Sequence, residues 1–158
     1  MKMISWKDYG LGILLTEGVG GLAGWLTRTG REVYKQTVIK PPLTPPDILF
    51  PIVWSILYAL MGIGAVRVYY TDASRERTLS LIIFALQLSL NFIWNFVFFQ
   101  FQAFGAAFAL IVVLWVMIIL MIYFFSKVNL LAAKLQVPYL LWVTFATYLT
   151  GAVWYLNL

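Results

Sequence analysis

Long uncharged stretches alternate along the chain with short charged ones, and their lengths limit what each can be. Ile48 to Val66 holds no charged residue. As a helix rising ~1.5 Å per residue it covers about 28 Å, close to the ~30 Å of bilayer hydrocarbon. Residues 79–125 are also free of charge. As one helix they would run roughly 70 Å, more than two bilayers, so the stretch must double back, and Gln102 to Gly105 is the natural bend. The charged turn TDASRER and the segment SKVNL, with Asn129 as a cap, separate the remaining runs. The pattern predicts an all-α membrane protein, a five-transmembrane-helix bundle forming one domain over 1–158. Its spans lie at about 9–27, 47–70, 79–101, 104–125 and 131–156, and the last is expected to bend at Pro138.

The second span has the most distinctive entrance, KPPLTPPDILFPIVWSILYALMG from Lys40 to Gly62. Thr44 suits the N-cap, Pro45 the first helical position, and Asp47 completes a capping pattern beside the positive end of the dipole. Residues 28–43 read as the longest loop. Tyr9 to Thr27 is glycine-rich and lacks a small-residue cleavage pattern before Arg28, so it reads as a retained span rather than a signal peptide. Gly20 and Gly24 within it permit close helix approach, by packing inside the chain or across a dimer face.

Composition supports the membrane reading and removes much chemistry. Of 158 residues 63% are hydrophobic and 11% charged, where soluble domains carry about a quarter charged residues. Cysteine and histidine are absent, which excludes disulfides, thiolate nucleophiles, histidine bases and histidine-ligated metals. The net charge of +5 is dispersed over loops and helix ends. It suits anchoring beside anionic headgroups and forms no clustered basic face for nucleic acid. Lys2, Lys7, Arg67, Arg75, Arg77, Lys127 and Lys134 would lie on one side and Arg28, Arg31, Lys35 and Lys40 on the other, favouring a cytoplasmic amino terminus.

Candidate function rests on what is unusual inside the lipid. Gln87, Asn91 and Asn95 recur at i, i+4 and i+8, placing three amides on one helical stripe flanked by Trp94 and Phe98. They can serve as interhelical glue, at ~0.6–2 kcal/mol per contact, or as ligand contacts. Trp54, Tyr58 and Met61 share a face of the second span, and Trp142, Ala146 and Leu149 one of the fifth. Counted from the helix starts, Glu17, Trp54, Asn91 and Trp142 lie roughly 14–20 Å in, near mid-bilayer rather than in the aromatic belt. Indole walls with a few orienting amides suit a flat, largely apolar ligand. A charged Glu17 would cost ~2.5–3.5 kcal/mol at that depth, so it is protonated, hydrogen-bonded or functional.

These blocks carry a resemblance. KPPLTPPDILFPIVWSILYALMG, LNFIWNFVFF from Leu90 to Phe99, and PYLLWVTFATYLTGAVW from Pro138 to Trp154 resemble the TspO/translocator protein family of tryptophan-rich sensory proteins and peripheral benzodiazepine receptors. The resemblance implies a homodimeric receptor in a bacterial cell membrane. Its cavity would bind porphyrins such as protoporphyrin IX, or isoquinoline and benzodiazepine ligands, without a required cofactor or metal. The ligand-binding residues implied are Trp54, Tyr58, Asn91, Trp94, Asn95, Trp142 and Ala146, with Arg28, Arg31 or Lys35 meeting propionates. Light-dependent porphyrin breakdown, with Trp54 and Trp142 relaying an electron, is the enzymatic alternative, and transport of small amphipathic solutes is a further one. Two departures stand out. Leu43 replaces the family's usual tryptophan in the loop, and no Lys or Arg follows Lys134 to complete a sterol pattern, which argues against sterol binding.

Overall fold

The computed structural model describes residues 2–158. Six helical rods follow one another: α1 (Trp6–Leu26), α2 (Arg28–Thr37), α3 (Leu49–Tyr69), α4 (Arg75–Gln100), α5 (Phe104–Val128) and α6 (Leu130–Leu156). The last five residues of α4, Phe96–Gln100, form a π turn. In α6 a short turn, Leu130–Lys134, leads into the long segment Val137–Leu156.

This corrects the five-span bundle expected from the sequence. Four of the six rods, α3 to α6, are long and apolar enough to cross a membrane. The 21-residue α1 falls outside that group. Its glycines at 10, 12, 18, 20, 21 and 24 add little apolar surface, and Lys7, Asp8 and Glu17 subtract from it. The expected loop at 28–43 is also corrected, because its first part is α2. That short polar helix carries no apolar stripe that periodicity could detect.

Two helix starts differ from expectation as well. Thr44 does not cap α3; its Oγ1 donates to the Pro41 carbonyl at 2.6 Å. Helix α3 begins only at Leu49, after Ile48, with no side-chain cap. The two consecutive prolines explain the delay, since the residue before a proline is pushed toward extended backbone. In α6 the helix breaks at Leu135–Gln136, ahead of Pro138, which sits in the first turn of the long segment where its missing amide hydrogen costs nothing. The bend near Gln102 stands as expected: α5 starts at Phe104, and Gln102 takes φ 50°. Asn129 caps α6, its Oδ1 accepting from the Ala132 amide at 2.9 Å.

Glycine sets how closely α1 approaches α3. A Cβ on Gly12 would stand 2.8 Å from the Gly62 carbonyl oxygen, and one on Gly62 would stand 2.5 Å from that of Gly12. One turn further, Thr16 Oγ1 donates to the Tyr58 carbonyl at 2.6 Å. Gly20 leaves room for the Tyr58 ring, while Gly21 faces open space. The main core lies between α3, α5 and α6, where Met61, Ile118, Met121, Phe125, Tyr139 and Val143 are fully enclosed. Leu14, Ile52, Ile56, Leu86, Val113 and Leu141 point outward, as lipid-facing residues do in a membrane-embedded bundle.

A second, smaller core holds α2 in place. Gly30 lies against the π turn, where a Cβ would come within 2.8 Å of Gln100 Cα. Tyr34 then packs among Phe98, Phe99 and Phe104, with ring centroids 5.3, 5.3 and 6.5 Å away. The π turn's wider winding redirects the end of α4 toward this cluster.

Candidate functional site

One cavity of about 510 Å³ lies between α1, α2, α3, α4 and α6, beneath the loop that follows α2. Its size is in the ~300–1,000 Å³ range of small-molecule sites. Trp54 and Tyr58 from α3, Trp94 and Asn95 from α4, and Trp142 and Ala146 from α6 all line it. Six of the seven expected ligand-binding residues therefore converge on one space. The aromatic walls are braced from behind: Trp94 stacks on Phe98 at 4.8 Å, Trp54 tilts against Tyr58 at 5.5 Å, and Phe50 meets Trp142 edge-on at 5.8 Å.

Asn91 is placed elsewhere. It is buried behind Tyr58 in a directed chain of hydrogen bonds. Tyr58 Oη donates to Asn91 Oδ1 at 2.8 Å, Asn91 Nδ2 donates to Tyr139 Oη at 2.9 Å, and Tyr139 Oη donates to Gln87 Oε1 at 2.8 Å. Two of the three amides on the stripe thus act as glue across α3, α4 and α6. Asn95 reaches the cavity while its Nδ2 donates back to the Asn91 carbonyl at 2.9 Å. Met61, which shares the Trp54 face, is core.

The polar groups of the cavity are unevenly satisfied. The indole nitrogens of Trp94 and Trp142 are both buried and have no hydrogen-bond partner. An indole N–H is a donor only, and leaving one buried without an acceptor costs ~1–3 kcal/mol. Both nitrogens are closed off from the cavity, so the two indoles line it with their rings.

The mouth is charged and covered. Arg31, Lys35 and Asp47 line it together with Tyr34. Arg31 Nη2 donates to the Gly24 carbonyl at 2.7 Å, near the end of α1, and Lys35 stands 3.8 Å from Asp47. Arg28 is not among the lining residues; it donates to the Trp25 carbonyl and lies over that indole. Burial, with a contribution from Asp47, pushes the Tyr34 phenol up to about 12, so it stays neutral at physiological pH.

The loop over the mouth contributes Pro41, Thr44 and Asp47 and is tied down at two points. Tyr148 Oη donates to the Pro42 carbonyl at 3.0 Å. Asn157 accepts from the Ile39 amide at 3.0 Å and returns a bond to the Ile39 carbonyl at 2.9 Å. Leu43, directly after these ties, holds φ 68° and is exposed.

Several lining residues were not singled out by the sequence, among them Phe50, Thr150 and Val153. Phe50 sits four residues before Trp54, and Thr150 four after Ala146, so helical spacing alone could have added both. No group of three or more carboxylate, cysteine or histidine side chains that could hold a metal occurs among the described residues. Binding here would rest on burial, stacking and hydrogen bonds.

Comparison with known proteins finds relatives along nearly the whole chain. The model of the TspO/MBR family matches residues 12–156. The chain is 38% identical over 148 residues to the tryptophan-rich protein TspO of Chlorobaculum tepidum, covering 93% of this chain and 92% of that one. It is 37% identical over 119 residues to protein CrtK of Rhodobacter capsulatus, covering 75% and 74%. It is 30% identical over 148 residues to the translocator protein of Ovis aries, covering 91% and 87%. With matching sequence across nearly its whole length and apolar helices able to span a bilayer, this chain is an integral membrane protein that belongs to the TspO/MBR family.

Proposed function

We propose that the protein is a membrane receptor that takes a protoporphyrin-type tetrapyrrole into the tryptophan-walled cavity. The observation that carries the reading is the convergence of Trp54, Trp94 and Trp142 on one cavity of about 510 Å³. Its remaining walls are largely rings and small residues. A flat conjugated ligand would bury its faces against Trp54, Trp94 and Trp142, with aromatic contacts contributing ~0.5–1.5 kcal/mol each beyond area burial. Its carboxylate arms would meet Arg31 and Lys35 at the mouth. The ties from Tyr148 and Asn157 would keep the loop over the bound ring. The names of the relatives, sensory and translocator proteins among them, accord with a ligand-binding role.

Titration of protoporphyrin IX into the detergent-solubilised protein tests this. Porphyrin fluorescence is expected to change saturably, with one ligand per chain, and Trp142→Ala is expected to weaken binding at least tenfold. A signal that rises linearly without saturation, as partition into micelles gives, would overturn the reading.

A further inference from the structure

The mouth and the indole wall leave one polar group of the cavity without a task. Glu17 lines the cavity from α1 and is partly buried. Its neighbours on α1 pack against α3: Thr16 is bonded to the Tyr58 carbonyl, and Gly20 lies against the Tyr58 ring. Among the described residues Glu17 has neither a hydrogen-bond nor an ion-pair partner. The cations nearest the cavity are engaged elsewhere, Arg31 with the Gly24 carbonyl and Lys35 with Asp47.

Ionised, a carboxyl only accepts hydrogen bonds. The cavity therefore offers one acceptor from α1 among ring walls from α3, α4 and α6. A ligand that satisfies it must carry N–H groups along its rim. A closed free-base porphyrin does not meet that condition, because its N–H groups point into the centre of its own ring. An open-chain tetrapyrrole does, because its pyrrole N–H groups lie along an open edge.

We propose that Glu17 is a specificity-determining residue that accepts from ligand N–H groups, so that the cavity favours open-chain over closed tetrapyrroles. The inference rests on the tetrapyrrole reading above and specifies it. In this arrangement the pyrrole edge faces Glu17 while the conjugated faces lie against Trp54, Trp94 and Trp142. Removing the carboxyl leaves those N–H groups buried without an acceptor, and sites built on such pairs discriminate strongly between analogues.

The test uses biliverdin and free-base protoporphyrin IX with the full-length protein in detergent. The wild type is expected to bind biliverdin more tightly than the closed ring. Glu17→Leu is expected to weaken biliverdin at least tenfold while changing protoporphyrin less than twofold. Glu17→Gln, whose amide oxygen still accepts, is expected to fall between, and induced circular dichroism of bound biliverdin should weaken in the same order. Equal losses for both ligands, or unchanged biliverdin affinity in Glu17→Leu, would overturn the inference. A wild type that binds protoporphyrin saturably but not biliverdin would overturn this inference alone; one that binds neither would overturn the receptor reading with it.

Discussion

Gly12 of α1 and Gly62 of α3 cross with their backbones in contact, so that a Cβ added to either would stand 2.5 to 2.8 Å from the other's carbonyl oxygen. Backbone cannot move aside as a flexible side chain can. Gly12→Ala and Gly62→Ala are therefore expected to destabilise the protein by ~1–3 kcal/mol, the usual range for overpacking. Gly21→Ala serves as the control, since its Cβ would meet nothing within 4 Å, and it should be close to neutral. Thermal unfolding in detergent, followed by circular dichroism, measures all three.

The polar chain behind the cavity separates stability from binding. Tyr139→Phe removes the hydroxyl that accepts from Asn91 and donates to Gln87, leaving two buried amides short of a partner. The expected loss is ~1–3 kcal/mol of stability. Ligand affinity should change less than about threefold, because Tyr139 does not line the cavity and its ring, which braces Trp54 at 6.2 Å, is kept. Chemical denaturation and ligand titration on the same preparation check both halves.

How much of this was legible in the sequence follows from the range of each interaction. Turns and caps set by a few adjacent residues were readable, as at Gln102 and Asn129. Convergence of Trp54, Trp94 and Trp142 was readable too, because periodicity and depth depend only on helical geometry. Asn91 and Asn95 share a stripe in sequence yet separate in the fold. What divides them is Tyr139, a partner on another helix that no local pattern reveals. Glycine spacing pointed to Gly20 and Gly24, whereas the backbone contact between α1 and α3 uses Gly12, whose partner Gly62 lies fifty residues away. Helix α1 was overcounted as a span because the run from Tyr9 to Thr27 was weighed by length, while its glycines leave it short of apolar surface.

The loop over the mouth depends on a residue near the far end of the chain. Asn157→Ala removes both bonds to Ile39, leaving Tyr148 as the remaining tie. Amides of residues 38–48 are expected to exchange faster with deuterium, and a bound ligand to dissociate several-fold faster. Mass spectrometry and stopped-flow fluorescence follow the two effects.

The first turn of α1 gives the protein a pH dependence at its acidic end. The Ser5 backbone amide holds the Asp8 carboxyl below its ordinary value, assisted by the Ser5 hydroxyl and by Tyr70. A lowered folded-state pKa contributes stability above the unfolded value of ~3.9 and loses it as pH falls through the folded one. Melting temperature should therefore drop below about pH 4. Asp8→Asn should flatten that drop while leaving its upper end lower than in the wild type.

The most direct test removes two of the three indole walls. Trp54→Ala/Trp142→Ala takes away ring surface on separate elements of the cavity, α3 and α6, so protoporphyrin titrations against this variant isolate the part of the aromatic walls in recognition. Aromatic contacts contribute ~0.5–1.5 kcal/mol each beyond area burial, so losing two together with their burial should raise Kd by more than about tenfold. A Kd equal to that of the wild type would contradict the account, leaving the indoles as packing and the cavity without its claimed means of recognition.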